Sequence, residues 1–216
     1  MILAVAATEF ELAPFAEAIG NVPCRSLISG VGPVESCLRL TRFLERHGLD
    51  ISMVIHFGVA GAYIHPSGKM PALLDLCLAE TEVLGDVGIC FPRRIDSLPE
   101  EIAVQNRFSF EPALCRRAYE VLRQNNLQPY CGNFVTVSCV SGTLERGEML
   151  RCKYDALCEN MEGAAIARVC SDFSLPLLEI RSVSNFVEDR NPERWKLEKA
   201  CAASGRAAAM LVEALR

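Results

Sequence analysis

Two carboxylates and an amide are the side chains best suited to act together: Glu11, Glu162 and Asn185. A carboxylate activates water as a general base. A second one binds sugar hydroxyls more tightly as an oxocarbenium-like transition state develops. An amide does not titrate near neutrality and both donates and accepts, so it can hold a base that leaves. The set suits glycosyl chemistry. Its members are far apart in the chain, so they form a site only if the fold gathers them.

The elements around them point to one place. Residues 156–161 read as a strand turning directly into a helix, with Glu162 at the junction. The first helical N–H groups are unpaired there, and the helix dipole favours negative charge. Gly163, Ala164, Ala165 and Ala167 are small enough for the helix to lie close to a sheet. Two readings stand: a capping carboxylate with no other task, or an anionic acceptor at the mouth of an α/β crevice, where ligands sit in such folds. Glu11 repeats the pattern. Residues 2–6 form a short buried strand, Thr8 caps a helix starting near Glu9, and Glu11 lies in its first turn.

Further along, a strand over 24–29 runs into Ser29-Gly30-Val31-Gly32-Pro33, with proline placed to open a helix over 34–47 that Gly48 ends. Without a following lysine, this turn reads as tight backbone rather than a phosphate loop. Residues 52–57 are a continuous apolar run, as in a central parallel strand. They end in Gly58-Val59-Ala60-Gly61-Ala62, where backbone can approach a ligand. A strand over 74–84 precedes an irregular segment, 86–107, carrying Arg93, Arg94 and Arg107. Then come a helix over 112–124, a strand over 133–140, the turn Ser141-Gly142-Thr143 and a polar helix over 145–153. A strand over 176–183 leads to Ser184-Asn185 and a charged loop, and an alanine-rich helix over 195–215 closes the chain. In a mostly parallel sheet, Glu11, the turn at 58–61, Met161-Glu162 and Ser184-Asn185 all open on one edge.

The totals narrow the classes. The 216 residues suit one domain spanning 1–216, and with 50% hydrophobic residues the chain builds a core without staples. A net charge of −5 and the lack of a long Lys/Arg run argue against a nucleic-acid surface. No apolar run reaches the length of a membrane span. The apolar start lacks a basic leader and reads as a strand, so a cytoplasmic location is the expectation. The eleven cysteines are odd in number and include no C-x-x-C pair; Cys77, Cys90, Cys139 and Cys170 sit in apolar positions and read as reduced core thiols. His47, His56 and His65 form no ligand spacing with them, so no metal is expected.

Four motifs together carry a resemblance. Glu159-Asn160-Met161-Glu162-Gly163-Ala164-Ala165 resembles the ribose motif of the nucleoside phosphorylase/nucleosidase superfamily, and Arg181-Ser182-Val183-Ser184-Asn185-Phe186-Val187 its base motif. Ala6-Ala7-Thr8-Glu9-Phe10-Glu11 resembles its N-terminal motif, and Thr136-Val137-Ser138 with Ser141-Gly142-Thr143 a further signature. The chain looks like the methylthioadenosine/S-adenosylhomocysteine nucleosidase branch, and within it the futalosine hydrolase family. The resemblance implies an α/β single-domain three-layer sandwich, with a central mixed, mostly parallel twisted sheet flanked by helices. It implies hydrolysis of futalosine to hypoxanthine and dehypoxanthinyl futalosine in menaquinone biosynthesis, with no cofactor, a purine nucleoside as partner, and a homodimer. Carried over, Glu11 matches the carboxylate that deprotonates water and Glu162 the one that holds the ribose 2′-hydroxyl. Met161 matches the residue packing along the sugar, Trp195 an aromatic in the 5′-substituent pocket, and Thr143 the base-contacting loop. Gly61 and Val31, one in each glycine-rich turn, complete the candidate substrate-binding set.

Asn185 stands where adenine-releasing relatives have an aspartate acid. An amide cannot protonate N7, but it donates to a purine O6 and accepts from a protonated N7. Sites built for one hydrogen-bonding pattern reject the mismatched one by about 10⁴-fold or more, so a 6-oxopurine is the expected base. Taken alone, Asn185 also reads as a turn residue bonding its own backbone. Phosphorylase relatives carry an arginine just before the glycine turn; here Val54-Ile55-His56-Phe57-Gly58-Val59-Ala60-Gly61 has none, which favours water over phosphate. Two other functions stay open at this stage: another purine nucleosidase or phosphorylase of the superfamily, and a catalytically silent nucleoside-binding protein.

Overall fold

The computed structural model describes every residue except 67, 69 and 103. Strand β1 (Ile2–Ala6) is buried along its whole length and feeds α1 (Glu9–Ile19). β2 (Arg25–Ile28) and α2 (Pro33–His47) follow, then the long β3 (Met53–Tyr63) and β4 (Leu76–Leu84). A small hairpin, β5 (Ile89–Phe91) and β6 (Arg94–Asp96), and the short β7 (Arg107–Ser109) lead to α3 (Pro112–Gln124). The chain ends with β8 (Tyr130–Thr136), α4 (Leu144–Tyr154), β9 (Ala156–Asn160), α5 (Gly163–Asp172), β10 (Leu177–Val187) and α6 (Leu197–Leu215).

The sheet runs β10-β4-β8-β9-β3-β1-β2, with β7 on the far half of β4. Because β10 also pairs with β3, the pairing makes a closed circuit through β3, β10, β4, β8 and β9, extended by β1 and β2. Most pairs are parallel; β3–β9, β4–β10 and β4–β7 are antiparallel. On one side, β3 pairs with β10 from Val54 to Tyr63. On the other it pairs with β1 from Met53 to His56 and with β9 at Gly61 and Ala62. Between these, residues 57–60 have no strand partner on that side among the described residues. Such a change of neighbour is where α/β folds open a crevice.

Helices α1, α3 and α6 pack together with α6 against β3 and β10, while α2 packs on α5, which lies against β4 and β8. The main core joins β1, β3 and β10 to these helices, and a smaller cluster of Tyr63, Val135, Leu150, Tyr154 and Val187 sits under α4. No helix among the described residues is long and apolar enough to cross a membrane.

Several boundaries differ from the sequence reading, each for a local reason. The glycines at 58 and 61 lie within β3 rather than in a turn after it, because the strand continues past them as it changes neighbours. Ser184 and Asn185 likewise lie inside β10, at a register shift between Val183 and Asn185. β8 spans Tyr130–Thr136 rather than 133–140: beyond Val137, the Ser138 N–H turns to the Asp86 carboxylate at 2.8 Å. The segment 86–107 holds the hairpin and the start of β7. All eleven cysteines are free; Cys77 and Cys170 are buried as expected, but Cys90 and Cys139 lie in exposed loop and hairpin positions.

Helix α6 crosses α1 in close contact. A Cβ on Gly205 would come within 2.8 Å of the Phe15 backbone nitrogen and 3.1 Å of the Pro14 carbonyl carbon. Gly205→Val is therefore expected to cost about 1–3 kcal/mol through overpacking, lowering the melting temperature by several degrees. An unchanged melting temperature would show that the two helices move apart freely.

Candidate active site

The gap beside β3 opens into a cavity of about 450 Å³ lined by residues of every motif at the strand ends, among them Glu11, Gly61, Met161, Glu162, Asn185 and Trp195. Val31 lines it from the glycine-rich turn.

Glu11 is placed by a capping box. The Thr8 hydroxyl accepts from the Glu11 N–H at 3.2 Å, and Glu11 Oε2 accepts from the Thr8 N–H and hydroxyl at 3.1 and 2.9 Å. Its other oxygen, Oε1, reaches across the gap and accepts from the Val59 N–H at 3.1 Å. Gly58 makes this crossing possible, since a Cβ there would lie 2.5 Å from Glu11 Oε1 and 2.8 Å from Arg181 Nη1.

Glu162 sits at the start of α5 without capping it. Asn160 Oδ1 accepts from the N–H groups of Glu162 and Gly163 at 2.9 and 2.7 Å, and Thr136 Oγ1 accepts from Ala164 N–H at 2.7 Å. With these donors satisfied by others, the Glu162 carboxylate is left for the cavity. Its Oε1 accepts from Gly32 N–H at 3.0 Å, and its Oε2 lies 3.5 Å from Arg181 Nη1. Gly32 holds a positive φ of 88°, which suits glycine in the turn that presents this N–H.

Arg181 is 1% exposed and joins the two halves of the site. Its Nε bonds Glu179 at 2.8 Å, its Nη1 reaches the Val59 carbonyl at 3.3 Å, and its Nη2 lies 3.1 Å from His56 Nε2. Burial alone would lower its pKa; Glu179, Glu162 and Glu11 outweigh that and raise it. Burial would likewise push Glu179 up, but Arg181 and His56 hold it down to about 2. Behind this pair, Glu82 accepts from Asn160 and Thr136 and is fully buried. Burial, then the charge of Glu179, push its carboxyl well above the usual range.

Asn185 is half-buried further along β10, the strand that carries Glu179 and Arg181, and lines the same cavity. Its Oδ1 accepts from the Ser184 hydroxyl at 2.8 Å, and its Nδ2 donates to the Phe186 carbonyl at 3.1 Å. The amide thus does bond local backbone, yet it keeps one N–H and faces the cavity from a strand rather than a turn. Trp195 lies at the mouth, with the Arg190 guanidinium 4.7 Å above its ring.

Thr143 is not among the residues lining this cavity. It caps α4, accepting from Arg146 N–H at 3.3 Å, and lines a separate depression that also holds Arg93. Ser141, two residues earlier, lines the cavity instead, because its N–H and hydroxyl both bond Glu159 at 2.7 Å. Arg94 pairs with Asp96 and covers the Phe91 ring, away from the site. Glu159 and Arg181 carried no assigned role in the sequence reading. Their signal was there: charged side chains inside otherwise apolar strands are seldom buried without a partner.

The sequence matches the family model described as the phosphorylase superfamily over residues 15–216. The chain belongs to the phosphorylase superfamily. It is 33% identical to the futalosine hydrolase of Thermus thermophilus over 190 residues, covering 86% of this chain and 80% of that protein. It is 30% identical to the 5′-methylthioadenosine/S-adenosylhomocysteine nucleosidase of Geobacillus thermodenitrificans over 168 residues, covering 76% and 67%. In fold it matches the native futalosine hydrolase of Helicobacter pylori with a TM-score of 0.84 at 24% identity, covering 98% of this chain and 97% of that one.

In this superfamily member the buried acids titrate in opposite directions. The Glu179 carboxylate stabilises the fold above the unfolded pKa of about 4.3, and that contribution is lost as pH falls toward 2. The Glu82 carboxyl is favoured neutral; its contribution is full below about 4.3 and declines as pH rises, by up to about 1.4 kcal/mol per pH unit. Glu82→Gln removes that decline. Denaturant midpoints at pH 5 and pH 8 should therefore fall less between the two for the variant than for the parent. Parallel shifts in both proteins would show that Glu82 ionises without cost.

Proposed function

We propose that this enzyme hydrolyses the N-ribosidic bond of futalosine, releasing hypoxanthine and dehypoxanthinyl futalosine, a step in menaquinone biosynthesis. Its relatives are named as hydrolases and nucleosidases, which supports N-glycosyl hydrolysis as the reaction class. The observation that carries the finer reading is the convergence of Glu11, Glu162 and the uncharged amide of Asn185 on one cavity.

In this reading Glu11 holds the attacking water and takes its proton. Two of its contacts come from backbone N–H groups, which fix the carboxylate before substrate arrives. Glu162 accepts from the ribose 2′-hydroxyl and favours the positive charge that develops on the ring. Met161 packs along the sugar. Arg181 lies against Glu162 and offsets the negative charge of both carboxylates. Because its guanidinium faces Glu179, Glu162 and Glu11 together, the sugar end of the cavity opposes a phosphate dianion and suits water. Asn185 binds the base without protonating it, which suits a 6-oxopurine. At the mouth, the indole of Trp195 with the Arg190 guanidinium over it suits the aromatic acid at the 5′ end of futalosine.

Relatives named as methylthioadenosine/S-adenosylhomocysteine nucleosidases favour a second reading, release of adenine from a 5′-thio nucleoside. The neutral Asn185 weighs against it. The rim supports the homodimer that the superfamily resemblance implies: Phe10 and Val31 line the mouth at 49% and 54% exposure, with Val34 exposed beside them, and a second copy would cover them.

Base release from futalosine, inosine, 6-amino-6-deoxyfutalosine and methylthioadenosine, with and without phosphate, tests the assignment. Futalosine should be cleaved best and without phosphate; preference for methylthioadenosine would replace this reading by the second. Glu11→Gln and Glu162→Gln should each lose about 10²-fold or more in kcat, and near-normal turnover would remove the role. Asn185→Asp should release hypoxanthine more slowly and gain on the 6-amino substrate.

A further inference from the structure

Glu159 lies in the same cavity and takes no part in the mechanism above. It stands on β9 directly opposite Gly61 of β3, and Gly61 in turn pairs with Asn185 of β10. The three residues therefore form one row across three neighbouring strands. Paired residues point their side chains to the same face, and the two outer strands lie about 10 Å apart. A Cβ on Gly61 would fall 3.2 Å from Asn185 Nδ2 and 3.7 Å from Glu159 Cγ, with Val187 closing one end at 3.0 Å. Glycine keeps the floor between the carboxylate and the amide free of any side chain.

Glu159 is 5% exposed and anchored by three donors: Ser141 N–H on Oε1, and the hydroxyls of Ser141 and Tyr63 on Oε2. A carboxylate offers about four acceptor places, so one remains. Asn185 has spent one of its two N–H groups on Phe186 and keeps the other. Across the glycine floor the pair therefore offers one acceptor and one donor. A 6-oxopurine carries the complement on two atoms flanking C6, a donor at N1 and an acceptor at O6. A 6-aminopurine carries the reverse, a bare N1 and an amino group.

Resting on the reading that a purine riboside occupies this cavity, we propose that Glu159 is a specificity-determining residue that accepts from N1–H of a 6-oxopurine while Asn185 donates to O6. With a 6-aminopurine, the Glu159 acceptor meets an acceptor and the Asn185 donor meets a donor. Both polar groups then stay desolvated without partners, the condition under which sites reject an analogue most strongly. Ser141 and Tyr63 act through Glu159, holding its carboxylate in the plane of the base.

Binding of the free bases tests the slot without relying on any one riboside. Calorimetry on the full chain should show hypoxanthine bound about 10²-fold or more tighter than adenine, with 1-methylhypoxanthine, which lacks N1–H, no better than adenine. Glu159→Gln offers an amide that turns either way, so the hypoxanthine-to-adenine ratio should fall about tenfold or more. Tyr63→Phe removes one hydroxyl and should move the ratio in the same direction by less; it decides the matter if circular dichroism shows Glu159→Gln unfolded. A ratio unchanged in the folded variants overturns the proposal, as does tight binding of 1-methylhypoxanthine. If the base ratio depends on Glu159 while futalosine is left intact, the slot stands and the futalosine reading falls. If futalosine is cleaved and the ratio ignores Glu159, the slot alone falls.

Discussion

A guanidinium with 1% exposure sets the terms for this structure. Removing a charge from water costs several kcal/mol even after relaxation, and a buried ion is tolerated only when paired and hydrogen-bonded throughout. Arg181 meets that demand with partners from four elements: Glu179 on its own strand, His56 and the Val59 carbonyl on β3, Glu162 at the start of α5, and the charge of Glu11 from α1. None of these partners can move far without leaving a charge unpaired in the core. The carboxylates that would do chemistry are therefore held by the same network that makes the arginine's burial tolerable. Geometry at the site and stability of the sheet become one requirement.

The glycines are the second half of that requirement. Gly58 leaves room for Glu11 to pass over β3, Gly163 lets α5 approach Glu82 and Glu179, and Gly61 leaves the space between Glu159 and Asn185 open. At each position a Cβ would occupy space that a polar atom of the site needs. The glycine-rich stretch of β3 thus has a different cause from that of an ordinary turn: it is a strand whose side chains have been removed where the sheet changes partner.

This explains what could be seen in the chain and what could not. The alternation of strands and helices, the cap at Thr8 and the helix after Glu162 were legible because they depend on neighbours in sequence. Gly58, Gly61, Ser184 and Asn185 were read as turns because glycine and asparagine usually mark turns. Only the pairing of β3 with β10 and β9, a long-range fact, shows them to be strand residues. Thr143 lies outside the cavity for a similar reason. A threonine before a helix reads equally well as a cap or a ligand contact, and the competition was settled by Ser141, which the buried Glu159 draws into the cavity. Arg181 and Glu159 were quoted within motifs and went unassigned, since local pattern says nothing about which buried charge faces which.

The two ends of the cavity now differ in kind. One end is ionic: Arg181 lies among Glu11, Glu162 and Glu179, an arrangement set during folding that, on the proposed reading, would meet a developing positive charge without reorganising. The other end, proposed to hold the base, is made of hydrogen-bonding groups held by hydroxyls and backbone, with Asn185 and Glu159 each anchored from behind and each keeping one place for a partner. Charge that develops during bond breaking is best met by fixed charge, whereas bases of similar shape are best told apart by donors and acceptors that go unpaired with the wrong one. Arg181 and Asn185 both stand on β10, one before and one after its register shift beyond Val183, so the two proposed tasks are separated along one strand beside Gly58 and Gly61 of β3. On the proposed reading, an acid in place of the amide at position 185 would alter which base is released without disturbing the carboxylates around Arg181.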